Sequence, residues 1–154
     1  MKLRIFVIDD EESIRDTMEW HLEEQGHEVI TAESPVVCDT CYANIRQDPK
    51  PCADLLFVDY QMANMTGLDF IERMSSRGCR MDPLTKYIMS GNISAIDMAK
   101  VESIGCNVLQ KPVTFDEIDR IVENRLLHVN QDRKLNDLCE LIQERAKLNP
   151  KNTS

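Results

Sequence analysis

The sequence predicts an α/β fold, a doubly wound five-stranded parallel sheet with helices on both faces and an extended C-terminal helix. Two observations carry this. Five short β-prone runs are each followed by an amphipathic segment with helical spacing. The chain has 154 residues, 42% hydrophobic and 29% charged, which suits one globular domain with about thirty residues to spare.

Leu3 to Ile8 (LRIFVI) is the first strand. Glu11 to Gln25 follows as a helix, with Ile14, Met18 and Leu22 on one face and Gly26 placed to end it. Glu28 to Ala32 is the second strand. Ser34-Pro35 offers an N-cap and an N1 proline for a second helix running to about Gln47. After a loop around Pro49 and Pro51, Asp54 to Val58 (DLLFV) is a strand of the fully buried type. Thr66 to Arg77 is a helix with Leu68, Ile71 and Met74 on one face. Thr85 to Met89 is the fourth strand and Ser94 to Ser103 the fourth helix. Cys106 to Leu109 is the fifth strand, and a fifth helix starts at Thr114 with Phe115, Ile118 and Val122 on one side. From Ile121 to Lys147 there is neither proline nor glycine, so the fifth helix is expected to extend, or a sixth to follow a break. Leu135, Leu138 and Ile142 share a face there, for self-packing or for contact with a partner.

The net charge is -9 and the pI about 4.8. Such a surface repels nucleic acid and anionic lipid. No apolar run approaches the roughly 20 residues that cross a bilayer, and the N-terminus has no signal-peptide pattern, so a cytoplasmic protein without membrane contact is expected. Cys38, Cys41, Cys52, Cys79, Cys106 and Cys139 are read as free thiols. Cys38-x-x-Cys41 with Cys52 supplies three thiolates but lacks the second close Cys/His pair of a zinc site.

In a parallel sheet the ligand crevice lies beyond the carboxyl ends of the strands. Asp9 and Asp10 stand after the first strand, Asp59 after the third, Ser90-Gly91 after the fourth and Lys111-Pro112 after the fifth. Three carboxylates brought together repel one another and should bind a cation. Oxygen-only ligands favour a hard ion, and Mg²⁺ is the usual choice. A lysine opposite them offers a positive charge to an anion, and a hydroxyl can donate a hydrogen bond to it. Such a set suits phosphoryl transfer to a carboxylate, and the central one, Asp59, is the expected nucleophile.

These residues carry a resemblance. Val7 to Glu11 (VIDDE), Phe57 to Met62 (FVDYQM) with Gly67, Met89-Ser90-Gly91, Gly105 and Lys111-Pro112 match in order and spacing the receiver domain of bacterial two-component response regulators, over residues 3 to 127 or so. The resemblance implies a flavodoxin-like strand order of 2-1-3-4-5 and a receiver at residues 1–127, with 128–154 as a helical extension or the start of a linker. It implies Asp59 as phosphoacceptor, Asp10 as a direct Mg²⁺ ligand, Asp9 acting through water, and the Gln61 backbone carbonyl as a further ligand. Ser90 and Lys111 would contact the phosphoryl group, and the Lys111–Pro112 peptide would be cis.

The implied partners are a sensor histidine kinase or phosphotransfer protein, and a downstream protein on the face of the fourth helix, fifth strand and fifth helix. Apart from the resemblance, the tail itself suggests a homodimer through the C-terminal helix. The implied role is a switch rather than an enzyme. The alternatives are an aspartyl-phosphate phosphatase or phosphotransferase, and an interaction module that is not phosphorylated. Phosphatases of that kind on similar folds usually carry a second acid two residues after the nucleophile, where Gln61 stands.

The chain departs from the family pattern at Ala63, usually proline, and at Val108, usually an aromatic that swings with the hydroxyl residue. Coupling is therefore expected to run through the Ser90 loop and the following helix. His21, His27 and His128 are read as surface histidines rather than phosphodonors, and Trp20 as core or partner-facing surface.

Overall fold

The computed structural model describes residues 1–35 and 49–137. Five strands form one parallel sheet: β1 (Arg4–Ile8), β2 (Glu28–Ala32), β3 (Leu55–Asp59), β4 (Lys86–Ser90) and β5 (Asn107–Gln110). Their order is β2-β1-β3-β4-β5. The described helices are α1 (Glu12–Glu24), α2 (Gly67–Ser76), α3 (Met98–Ile104) and α4 (Phe115–His128). The helix expected from Ser34 to Gln47 falls almost wholly outside the described residues, as do Leu138 and Ile142.

Period-two alternation along the strands builds two cores. Ile5, Val7, Leu55, Phe57 and Met89 pack with Met18 and Leu22 of α1 and with Ile118 and Val122 of α4. Phe6, Ile8, Leu56, Val58 and Ile88 face the other way, onto Leu68, Phe70 and Ile71 of α2 and onto Ile96 and Val101 near α3. The sheet is covered on both faces, which accounts for the near-continuous apolar reading of β1 and β3.

Local chemistry sets the helix bounds. Thr66 and Thr114 each head a capping box, with Asp69 and Glu117 bonding back to the cap backbone. Gly26 takes a φ of +90° just past α1, a left-handed conformation that glycine adopts without strain.

Two expectations need correction. The helix expected from Ser94 is a 3₁₀ turn over Ile93–Ala95 followed by a fresh start at Met98. Ile96 is extended and buried, and the Asp97 side chain caps α3 by accepting from Lys100 N at 3.2 Å. The continuous C-terminal helix does not form, because α4 stops at His128 and Val129 is extended. The next residues return beneath the sheet. Arg133 holds the buried Asp54 with Nε and Nη2 at 2.8 and 2.6 Å, and Asn136 N donates to Pro51 O at 2.9 Å. Arg4 Nη1 reaches Asn136 O at 2.9 Å. These contacts satisfy backbone groups that a helix would have satisfied internally. A further helix after the break would lie outside the described residues.

Candidate functional site

The carboxyl ends of β1, β3, β4 and β5 meet at a cleft of about 370 Å³ lined by Asp10, Glu11, Asp59, Gln61, Ser90 and Lys111. Asp59 is the last residue of the central strand and is 5% exposed. Its backbone is fixed on two sides. Tyr60 N donates to Met89 O at 2.8 Å, and Gly67 N donates to Tyr60 O at 2.8 Å. A Cβ on Gly67 would lie 2.5 Å from the Asp59 carbonyl oxygen, so only glycine lets α2 start this close.

Asp9 is fully buried. Its Oδ1 accepts from Glu11 N at 2.8 Å, and Arg15 Nη1 donates to its carbonyl oxygen at 2.7 Å. Lys111 Nζ sits 3.0 Å from Asp9 Oδ2, 3.1 Å from Asp59 Oδ1 and 3.8 Å from Glu11 Oε1. The lysine's approach to Asp9 Oδ2 is that of an ion pair off the hydrogen-bond direction, which leaves that buried oxygen without a hydrogen-bond partner.

One ammonium cannot offset two buried carboxylates and the exposed Asp10 beside them. Burial, then the charge of Asp9, pushes the Asp59 carboxyl up to about 6 in spite of Lys111. Burial pulls the Lys111 ammonium down, but its contacts with Asp9 and Asp59 outweigh this and hold it above the ordinary lysine range. The two directions agree once the net charge is counted: the pocket keeps an excess of negative charge.

Asp9, Asp10 and Asp59 each present an oxygen, and these lie within 4.8 Å of one another. Hard oxygen donors and a negative charge that Lys111 offsets only in part together fit a small divalent cation. Gln61 borders the cleft through an antiparallel bridge to Thr66. Ser90 is buried, and its Oγ accepts from Asn92 N at 3.0 Å, so its own proton remains available to donate. Lys111 N donates to Ser90 O at 2.8 Å, tying the ends of β4 and β5. The Lys111–Pro112 peptide is cis.

Five of the six residues singled out from sequence thus line one crevice, and the sixth, Asp9, lies buried behind it against Lys111. The family model for the response regulator receiver domain matches residues 5–123. The chain belongs to that family.

Relatives and solved structures agree with this. The chain is 28% identical over 130 residues to the alginate biosynthesis transcriptional regulatory protein AlgB of Pseudomonas syringae, a match covering 83% of this chain and 27% of that protein. It is 29% identical over 123 residues to a probable transcriptional regulatory protein of Picosynechococcus, covering 76% and 46%. It therefore spans between about a quarter and a half of those relatives. A receiver domain from Clostridium thermocellum superposes with a TM-score of 0.65 at 24% identity, over 80% of this chain and 94% of that one. The response regulator TrrA of Thermotoga maritima, solved with Mg²⁺ and BeF, gives 0.63 at 22% identity, over 81% and 99%.

Within this receiver domain, Val108 pairs with Ile88 and packs against the core, so it has no ring to turn. Two histidines read as surface groups serve the structure instead. His27 is buried and its Nδ1 accepts from Leu3 N at 3.1 Å. His21 stacks on Phe115 at 3.9 Å and meets Asp119 at 2.7 Å. Sequence reading missed the approach of Glu11 to Lys111 and the hold of Asn92 on Ser90. Neither leaves a pattern in the sequence, because both depend on how the loops fold back.

Proposed function

We propose that this receiver domain accepts a phosphoryl group on Asp59 from a sensor histidine kinase or phosphotransfer protein, and thereby switches the binding of a downstream protein. The observation that carries the proposal is Lys111 Nζ lying about equally close to Asp9 and Asp59 in a pocket with surplus negative charge. An Asp59 carboxylate oxygen attacks phosphorus, the bond from phosphorus to the donor nitrogen breaks, and the imidazole leaves. Lys111 offsets charge on the phosphoryl oxygens, and the free Ser90 proton is available to bond one of them. Mg²⁺, held by Asp9, Asp10, Asp59 and the Gln61 carbonyl, would neutralise negative charge between acceptor and donor.

The phosphoryl group adds about -1.5 to -2 of charge, by analogy with other phosphorylated side chains. Ser90 is bonded to Asn92, and Asn92 stands at the head of the turn leading to α3, so a shift of Ser90 toward the phosphoryl group is passed to the α3–β5–α4 face. Residues 1–127 form the phosphorylation-competent unit, acting in the cytoplasm. Among the described residues no helix is long and apolar enough to cross a membrane. Gln61, where a second acid would serve turnover of outside substrates, favours a switch over a phosphatase.

Intact-mass measurement after incubation with acetyl phosphate tests the reading. A single phosphoryl adduct is expected, dependent on Mg²⁺ and absent from Asp59→Asn. No adduct, or one that persists in Asp59→Asn, would refute it. Full phosphorylation-dependent partner binding in Ser90→Ala would refute the coupling route.

A further inference from the structure

At the opposite pole of the sheet, Lys86 opens β4 with its side chain turned into the core, 2% exposed. Among the described residues its ammonium makes one polar contact, to Cys79 Sγ at 3.5 Å. No ion pair with a described carboxylate offsets the charge, and a buried cation without an anion is costly. The surroundings are sulfur and hydrocarbon. Cys52, Met74, Cys79, Met81 and Lys86 line a small cavity of about 30 Å³, roughly the share of one water molecule.

The three described cysteines are not equivalent. Burial pushes the Cys52 thiol up to about 12, and its Sγ faces Met81 Sδ at 3.8 Å. Burial also pushes Cys106 up. Both are poor nucleophiles toward an oxidant. Cys79 is only half-buried. It sits on the turn after α2, where Gly78 has a φ of +84° and Cys79 N returns to Met74 O at 2.9 Å.

We propose that Cys79 and Lys86 form a peroxide-responsive modification site, in which oxidation links Sγ to Nζ through one oxygen atom. The first hydrogen peroxide oxidises the Cys79 thiol to a sulfenic acid and is reduced to water. The Lys86 ammonium releases one proton to solvent and becomes an amine. A second hydrogen peroxide removes two electrons, one proton from the sulfenic oxygen and one from the amine. The N–O bond forms, and that peroxide leaves as two waters. The product, S–O–NH, is neutral, so the bridge removes the buried charge. It lies at the far end of β4 from Ser90 and leaves the Asp59 crevice untouched.

The test is peptide mapping of the full chain after hydrogen peroxide treatment, alkylation and trypsin digestion. The expected species joins residues 78–80 to the peptide starting at Met81, uncut at Lys86, with one oxygen more and two hydrogens fewer than the two together. A thiol reductant should abolish it, which separates it from methionine oxidation. It should be lost in both Cys79→Ser and Lys86→Arg. Because Lys86→Arg puts a larger cation in the core, the wild-type map decides by itself if that variant does not fold. Cys79 recovered only as sulfinic or sulfonic acid, or in a disulfide with Cys52, with Lys86 cleaved normally, would overturn the proposal.

Discussion

Replacing Asp59 with asparagine removes the least favourable charge in the crevice and should stabilise the domain in the absence of divalent cations. The folded state holds the Asp59 proton up to pH about 6, against an ordinary carboxyl value of 3.8. Between these values the folded state binds more protons than the unfolded one, so this group's contribution to stability falls as pH rises through the window. Above it the wild type carries a charging penalty of about 1–2 kcal/mol once solvent screening at the open cleft is allowed for. Asparagine has nearly the same shape and carries none of that penalty, while its carbonyl oxygen still accepts from Lys111. The gain should be smallest near pH 4 and approach about 1–2 kcal/mol at pH 8. With a urea dependence of about 1–3 kcal/mol per molar, the midpoint should move up by roughly 0.3–2 M at the higher pH. Urea titrations of both proteins in chelator, at several pH values, read this directly, and titrations of the other carboxylates largely cancel in the difference. A gain independent of pH, or a less stable variant at pH 8, would refute the reasoning. Added Mg²⁺ should narrow the gap by stabilising the wild type through binding.

Lys111→Met strips Asp9 and Asp59 of their shared cation and should cost about 2–4 kcal/mol at pH 8, and less below pH 5 where Asp59 is protonated; thermal melts at the two pH values compare them. Gly67→Ala forces a Cβ against the Asp59 carbonyl and should cost about 1–3 kcal/mol and slow acetyl phosphate incorporation. An unchanged melting temperature and rate would show that α2 can retreat freely. Arg133→Ala leaves the buried Asp54, among the described residues, with Arg4 N as its remaining donor at 2.8 Å, and should cost about 2–4 kcal/mol. Hydrogen exchange at residues 129–137 should rise in that variant.

The residues that bind the crevice together were readable in the chain because each stands at a strand's carboxyl end, where a parallel sheet puts its polar groups. The apolar alternation of β1 and β3 gave the two-faced core for the same reason. Ser94 misled because hydroxyl caps and carboxylate caps look alike in sequence. Asp97 captures the helix only once Ile96 has been drawn into the core. The return of residues 130–137 could not be foreseen from good helix formers, since tertiary ion pairing with Asp54 overrides local propensity there. Lys86 was the hardest to foresee, because a lysine at a strand's start ordinarily points to water. Here the register opposite Leu56 turns it inward toward α2.

Arg133 grips the residue that immediately precedes β3, and Asp59 closes that same strand about 16 Å away. The chain's last described residues are therefore moored at the foot of the sheet, at the opposite end from the acidic rim at its crown. Tension on whatever continues past Asp137 would reach Asp59 along the axis of one buried strand.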